Sequence, residues 1–412
     1  MIKISSIRGM HDLVGQELSH HHDIINQFIS VAHKCNFKPI STPIMEFSEV
    51  FKRTLGNSSD VVMKEMYSFI DKSEESLTLR PEGTAGIARA IISKGLTQDI
   101  PLKLYYFGPM FRYERPQKGR LRQFTQLGVE MFSNVSHYRE FEVISLADKL
   151  LKKLSINDSL TLHINNLGDI ASRSTYIEIL KKYYIQKKNS LSEDSLKRLE
   201  KNPLRILDSK SSTDIEINKN APLIKDYLSK ESNQYFNKFK KLLIESKVKF
   251  YENPFLVRGL DYYNNSIFEY TLKDNNKYAV LAGGSYDNLV KDLGGPSLAG
   301  IGWAAGVERL IDLIEFRKKI IENIVILPMD EDLICNAYKT REVLFNKKIK
   351  SEVYFVNNLK KALKYANKIQ ASYAIIIGKD EIKKSLYSIK NLATGKQDFI
   401  DQNKLLEYLE NA

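Results

Sequence analysis

Three arginines in distant segments have neighbours that suit them to hold phosphate. Arg112 lies in Phe111-Arg112-Tyr113-Glu114-Arg115-Pro116, Arg258 in Leu256-Val257-Arg258-Gly259-Leu260-Asp261-Tyr262-Tyr263, and Arg309 in Gly306-Val307-Glu308-Arg309-Leu310. A strand residue such as Arg112 projects a rigid planar fork from its sheet, a geometry that meets phosphate with two parallel bonds. Arg258 stands beside a glycine, which admits close backbone approach. Arg309 falls in the first turns of a helix, after a stretch from Gly300 to Gly306 whose small residues let strand and helix pack closely. Together they make one site around the phosphates of a bound nucleotide possible. No Gly-Lys-Ser/Thr phosphate loop occurs, and the glycine spacing before Arg309 does not fit a dinucleotide fold, so the nucleotide is held otherwise.

Two further segments carry polar groups of the right kind. In Arg122-Gln123-Phe124-Thr125-Gln126-Leu127-Gly128-Val129-Glu130, the strand period of two puts Gln126, Gly128 and Glu130 on one face. Gly128 between two polar side chains is expected to leave room for a ligand against the sheet. Thr78-Leu79-Arg80-Pro81-Glu82-Gly83-Thr84 ends a strand in a turn whose rim offers a carboxylate and a hydroxyl. Glu82 suits an ammonium group, although by itself this segment reads better as an ordinary polar turn.

These residues need a scaffold. A helix is expected from about Gln16 to Cys35, with Ile25, Phe28, Ile29, Ala32 and Cys35 at helical spacing. Its His20-His21-His22 run cannot converge on one metal, because adjacent helical residues point apart, and it reads as solvated surface. Residues 77–132 look mostly β, with a long hairpin whose tip is the basic loop Arg115-Pro116-Gln117-Lys118-Gly119-Arg120. From about Asp169 to Glu245 the texture turns helical and lysine-rich, as in an inserted subdomain. Strand-like sequence resumes at Val248, followed by Ala282-Gly283-Gly284-Ser285-Tyr286-Asp287. A boundary is expected near Lys318 to Asn323. Beyond it strands (Ile324–Leu327, Glu352–Val356, Tyr373–Ile377) alternate with helices, implying a small α/β domain with a mostly parallel sheet.

The 412 residues suggest two or three domains, and 43% hydrophobic content is enough for packed cores. No apolar run approaches the ~20 residues that span a bilayer, and no signal segment opens the chain, so a cytoplasmic protein without membrane contact is expected. Cys35 and Cys335, the two cysteines, form neither a disulfide framework nor a metal cluster and suit a reducing compartment. Lys and Arg total 62 against 50 Asp and Glu, a net charge of +12. That excess fits an acidic partner such as nucleic acid, and equally a lysine-rich composition.

The motifs taken together resemble a known family. Pro43 in Thr-Pro-Ile-Met-Glu, Phe111 to Glu114 with its basic loop, and Gly306 to Arg309 look like the three ordered motifs of class II aminoacyl-tRNA synthetases. Leu256 to Tyr263 and Leu281 to Asp287 resemble two peptides peculiar to histidyl-tRNA synthetases of the bacterial type. The resemblance covers nearly the whole chain. It implies an α+β catalytic domain built on an antiparallel sheet (1–168 and 245–318), a helical insertion (169–244) and a C-terminal α/β anticodon-binding domain (322–412). It also implies ATP-dependent histidine–tRNA ligation with Mg2+, the substrates L-histidine and tRNA(His), and a homodimer joined through the Pro43 region. The metal's ligands are not implied.

Residue by residue, the resemblance assigns Arg112 and Arg258 to the α-phosphate and Arg309 to the far phosphates, as the catalytic arginines. Glu114, Arg120 and Phe124 complete the ATP site, with Phe124 stacking on adenine. Glu82, Thr84 and Gln126 hold the amino acid's ammonium, and Glu130 and Tyr263 grip the imidazole, with Arg258 and Tyr262 beside them. Arg115, Gln117 and Lys118 meet the tRNA acceptor end. Three positions depart from the family pattern: Ser285 stands where the glycine-glycine peptide usually carries arginine, Asn288 where glycine is usual, and Thr125 for a frequent histidine. Two competing readings are a catalytically silent paralogue serving as a regulatory subunit in histidine biosynthesis, and a non-enzymatic RNA-binding protein.

Overall fold

The computed structural model describes residues 4–56, 59–315 and 323–410. The chain divides into two compact units, 1–314 and 315–412. The boundary expected near Lys318 falls, up to residue 322, outside the described residues.

The first unit opens with α1 (Gln16–Lys34), whose stripe Ile24, Phe28, Val31 and Ala32 is buried. His21 on the same helix is buried too, against the solvated reading of its run, and burial lowers its pKa. Next come β1 (Lys38–Pro39), β2 (Met45–Phe47), α2 (Ser48–Leu55), β3 (Tyr67–Ile70), β4 (Ser76–Leu79) and α3 (Thr84–Ser93). Then follow β5 (Leu102–Phe111), β6 (Gln123–Phe132), α4 (His137–Lys153) and β7 (Leu160–Asn166). Helices α5 (Ile170–Gln186), α6 (Glu193–Lys201), α7 (Ser212–Asn218) and α8 (Lys230–Glu245) occupy the lysine-rich stretch. The unit closes with β8 (Tyr251–Glu252), β9 (Asn264–Leu272), β10 (Asn275–Ser285), α9 (Leu289–Asp292), β11 (Gly300–Gly306) and α10 (Val307–Ile311).

Among the described residues, eight strands form one sheet in the order β1-β5-β6-β11-β10-β9-β7-β8. Its inner pairings are antiparallel, and only the short edge strands β1 and β8 pair in parallel. Register and the period of two sort the side chains between the faces. Tyr105, Val129 and Trp303 lie opposite one another across β5, β6 and β11. Phe28 of α1 meets the rings of Tyr105 and Trp303 edge-on at 5.7 and 5.9 Å, and Trp303 donates its indole N–H to the Val143 carbonyl of α4 at 3.0 Å. The other face carries Gln126, Gly128 and Glu130. The strands β2-β4-β3 make a separate small sheet.

The segment 77–132 is less β-rich than its pattern suggested, because α3 lies within it. Seven of the ten residues of α3 are buried, so no polar face marks the helical period. In the stretch of α5 to α8, carboxylates staple helix starts together. Asp169 accepts from Ser172 N and from the hydroxyls of Ser229 and Ser232, joining the N-termini of α5 and α8, and these bonds hold its pKa down at about 2.

The second unit contains β12 (Ile324–Pro328), α11 (Ile334–Asn346), β13 (Ser351–Val353), α12 (Leu359–Lys368), β14 (Tyr373–Ile377), α13 (Lys379–Lys383), β15 (Leu386–Asn391), β16 (Gln397–Asp401) and α14 (Leu405–Glu410). The five strands run β13-β12-β14-β15-β16. The sheet is mixed rather than mostly parallel: β13, β12 and β14 are parallel, but β15 and β16 return antiparallel. The short helix α13 is the cause, since a parallel return needs a crossover of a dozen or more residues. On α12, Ala362 and Ala366 are buried against the sheet core, away from Lys360, Lys361, Lys364 and Lys368.

Candidate active site

A cleft opens on the Gln126 face of the large sheet. Glu82, Thr84, Arg112, Glu114, Arg120, Phe124, Gln126, Arg258, Tyr262, Tyr263 and Arg309 all line it.

At one end the arginines are held by backbone oxygens and acidic partners. Arg112 follows β5 and donates through Nε to the Pro81 carbonyl at 2.8 Å. Its guanidinium lies over the Phe124 ring at 5.4 Å and 3.9 Å from Glu114. Arg120 reaches the other oxygen of Glu114 at 3.3 Å. Arg309 donates to the carbonyls of Gly119 at 2.8 Å and Ala279 at 2.6 Å. Burial lowers the Arg309 pKa, but from so high a starting value that it stays protonated. Arg258 donates to Glu269 at 2.9 Å and lies 5.7 Å from the Tyr263 ring centre. Its Nε is buried and has no hydrogen-bond partner among the described residues.

The other end is a closed relay of side chains. Arg80 anchors the turn before α3 by donating to the Pro109 and Thr42 carbonyls, both at 2.9 Å. Both oxygens of Glu82 then cap α3, accepting from Thr84 N and Ala85 N at 2.7 Å. Burial raises the Glu82 pKa and these backbone bonds oppose the rise. Thr84 Oγ1 donates to Glu130 Oε1 at 2.7 Å, and the Tyr286 hydroxyl donates to Glu130 Oε2. Glu130 is 1% exposed, and burial pushes its pKa up to about 8, against the pull of those two hydroxyls. Gln126 Oε1 accepts from Gly83 N at 3.1 Å and from the Tyr106 hydroxyl at 3.0 Å.

Two glycines allow this packing. A Cβ at Gly128 would sit 2.6 Å from the Trp303 carbonyl oxygen and 2.7 Å from the Tyr106 ring. The space at Gly128 therefore belongs to Tyr106, its register partner on β5, and not to a ligand as the sequence suggested. A Cβ at Gly302 would overlap the Glu130 carboxylate.

Residues 9–310 match the sequence model of the histidyl-tRNA synthetase family, and residues 323–412 match that of an anticodon-binding domain. The chain belongs to the histidyl-tRNA synthetase family. It is 44% identical to a histidine–tRNA ligase of Gluconobacter oxydans, over 95% of this chain and 94% of the relative. It is 40% identical to that of Rickettsia prowazekii, over 99% of each. The apo histidyl-tRNA synthetase of S. aureus superposes with a TM-score of 0.78 at 33% identity, covering 99% of both chains. A Bacillus halodurans structure described as an ATP phosphoribosyltransferase regulatory subunit/histidyl-tRNA synthetase has a TM-score of 0.66 at 19% identity, a likeness of fold alone.

Within this family frame, the structure brings together most of the residues singled out in the sequence. Glu130 is an exception: it does not line the cleft and is linked to it through Thr84. Arg115, Gln117 and Lys118 also stay out of the cleft, exposed on the hairpin tip. Three residues escaped the sequence reading. Tyr106 and Tyr286 escaped because strand register, which a sequence does not display, decides what they face. Glu308 lines the cleft beside Arg309; its Oε1 accepts from Thr125 N at 2.7 Å, and its buried Oε2 has no partner among the described residues. Its place next to Arg309 in the third motif was the available signal.

The donor set also fits a divalent ion. Glu114 and the partnerless oxygen of Glu308 are hard oxygen ligands beside the arginines, and magnesium takes one or two carboxylates plus substrate phosphates. Among the described residues no cluster of three or more His, Cys, Asp or Glu forms a complete protein cage for a metal.

Proposed function

We propose that the cleft joins histidine to ATP and then passes the histidyl group to tRNA(His). The observation that carries this reading is the convergence of Arg112, Arg258 and Arg309 on a cleft whose far end holds Glu82, Thr84 and the Glu130 relay. The relatives named above are histidine–tRNA ligases, and this chain has the same enzymatic activity.

In the first step a carboxylate oxygen of histidine attacks the α-phosphorus of ATP. The bond from that phosphorus to the bridging oxygen breaks, and pyrophosphate leaves. Negative charge grows on the α-phosphate oxygens, where Arg112 and Arg258 stand, and on the leaving group, where Arg309 and Arg120 stand. Guanidinium groups already held by Pro81, Glu269, Gly119 and Ala279 stabilise that charge without reorganising. Phe124 stacks on adenine with Glu114 beside it. Magnesium, held by Glu308 and Glu114, would add positive charge on the far phosphates. In the second step a hydroxyl of the terminal adenosine attacks the acyl carbon and AMP leaves. Arg115, Gln117 and Lys118 on the exposed tip are the groups placed to meet the incoming tRNA end.

The amino-acid end selects histidine. Glu82 takes the ammonium, since each of its oxygens keeps a second lone pair, and Thr84 lies beside it. Gln126 changes role from the sequence expectation. Gly83 and Tyr106 fill its amide oxygen, so it offers N–H donors and suits an acceptor rather than an ammonium. Tyr262 and Tyr263 line the imidazole pocket, and Glu130 sets it through Thr84. A site that hydrogen-bonds its substrate rejects analogues lacking those groups by ~10⁴–10⁵.

Exchange of labelled pyrophosphate into ATP, measured across a panel of amino acids, tests this. Exchange with histidine alone is expected, and no exchange with histidine under magnesium would overturn it. The regulatory-subunit reading has nothing specific in its favour, because this chain keeps the arginine cluster and the anticodon-binding unit. The cytoplasm is the proposed compartment, and no helix among the described residues is long and apolar enough to cross a membrane.

A homodimer is part of the same proposal. Ile44, Met45, Phe47, Phe69 and Ile70 are exposed on or beside the small sheet that follows Pro43. Sedimentation at twice the chain mass is expected, with a monomer species when Phe47 and Ile70 become Asp; an unchanged dimer in that variant would remove this surface from the interface.

A further inference from the structure

A second set of buried charges lies beside the cleft and outside the machinery described so far. Arg139 and Glu140, in the first turn of α4, are 1% and 0% exposed. Arg139 donates through Nη2 to Asp287 at 2.6 Å, and its Nε lies 3.5 Å from Glu140 Oε1. Neither Nε nor Nη1 has a hydrogen-bond partner among the described residues. Glu140 Oε1 also accepts from Ser285 Oγ at 2.8 Å, and its other oxygen takes the hydroxyl of Tyr235 on α8. Asn265 holds the second oxygen of Asp287 at 2.7 Å.

Two features of this cluster matter. Arg139 and Ser285 address the same carboxylate oxygen from opposite elements. Tyr286, which holds Glu130, sits between Ser285 and Asp287, the two residues that this cluster grips. Arg139 is the one cation among these groups, set against two carboxylates. Removing the sole countercharge of a buried carboxylate is strongly unfavourable, so the position of residues 285–287 depends on it.

We infer that Arg139 is a positioning residue of the amino-acid site. It supplies from α4 the guanidinium that the glycine-glycine peptide lacks at Ser285, and it pins residues 285–287 so that Tyr286 keeps hold of Glu130. This rests on reading the Glu130 relay as the histidine end of the cleft.

The test is a charge swap in the full-length protein: Arg139→Ser, Ser285→Arg, the double swap, and Arg139→Lys. Histidine-dependent exchange by the wild type judges the reading of the site, and the variants then judge Arg139. Residues that share one buried network are expected to be strongly non-additive. Arg139→Ser is expected to raise the histidine KM roughly tenfold or more while the ATP KM stays within about twofold, as coupling through one network would give. Ser285 is fully buried, so Ser285→Arg alone adds bulk and a second cation and is expected to lower Tm. The double swap vacates the space at 139 and is expected to bring histidine KM back to within about threefold of wild type, a large coupling between the two sites. Arg139→Lys, with the charge but not the fork, should fall between wild type and Arg139→Ser. Histidine and ATP KM rising in step in Arg139→Lys, or a double swap no better than the worse single variant, would overturn the inference. A double swap that fails to fold counts against it in the same way. Should Arg139→Ser not fold, the lysine variant and the double swap decide by these criteria.

Discussion

The two ends of the cleft are built on different principles. At the phosphate end, Arg112 and Arg309 are held by main-chain carbonyls of Pro81, Gly119 and Ala279. Their place follows from the course of the backbone, and each is fixed independently of the others. At the other end Glu82 is held by backbone N–H groups, but the groups behind it depend on one another's side chains: Tyr286 on Glu130, Thr84 on Glu130, Tyr106 on Gln126. Backbone anchoring makes a charge that is ready for a developing negative charge and tolerant of change nearby. A side-chain relay makes a selective surface in which one change passes to the next member. On the proposed reading, catalytic power and selectivity are thereby separated along one cleft.

The difference yields graded expectations. Arg112→Ala removes one fixed donor and should cost ~10²–10³ in exchange turnover, with little change in histidine KM or Tm. A large rise in histidine KM in that variant would break the separation. Glu130→Gln should act the other way. It leaves turnover largely intact but disturbs two buried hydroxyls, at about 1–3 kcal/mol, or roughly 5–150-fold in histidine KM. Turnover falling in parallel with binding would place Glu130 in the chemistry.

The most gradual effect is one of pH. The Glu130 pKa lies at about 8 in the fold against an ordinary value of 4.5, so the native state binds the extra proton between those values. Stability of the ligand-free protein should therefore fall as pH rises from about 4.5 to about 8 and level off above, by at most about 1.4 kcal/mol per pH unit. Comparison of Tm across that range with Glu130→Gln isolates this contribution, since glutamine does not titrate. Identical slopes in the two proteins would show that Glu130 is ionised throughout.

Much of this arrangement could be read from residue types and local pattern. An arginine at the end of a strand, a basic hairpin tip, an arginine opening a helix after small residues, and Gln126, Gly128 and Glu130 at alternate positions are all short-range signals. Resemblance to the family joined them into one site. Helix α3 was hidden for a local reason as well: nearly all of it is buried, so it shows no polar face.

What the sequence determined by itself is therefore the inventory of chemistry: the arginines and carboxylates of the cleft, and the order in which strands and helices present them. Only the tertiary structure decided which groups meet. It set the register that fills Gly128 with Tyr106, the fold of β10 that brings Tyr286 onto Glu130, and the approach of α4 that places Arg139 against Asp287 and Glu140 against Ser285. The reason is range: periodicity follows from the backbone over a few residues, whereas these contacts join residues 22 to 156 positions apart and exist only once the sheet has closed.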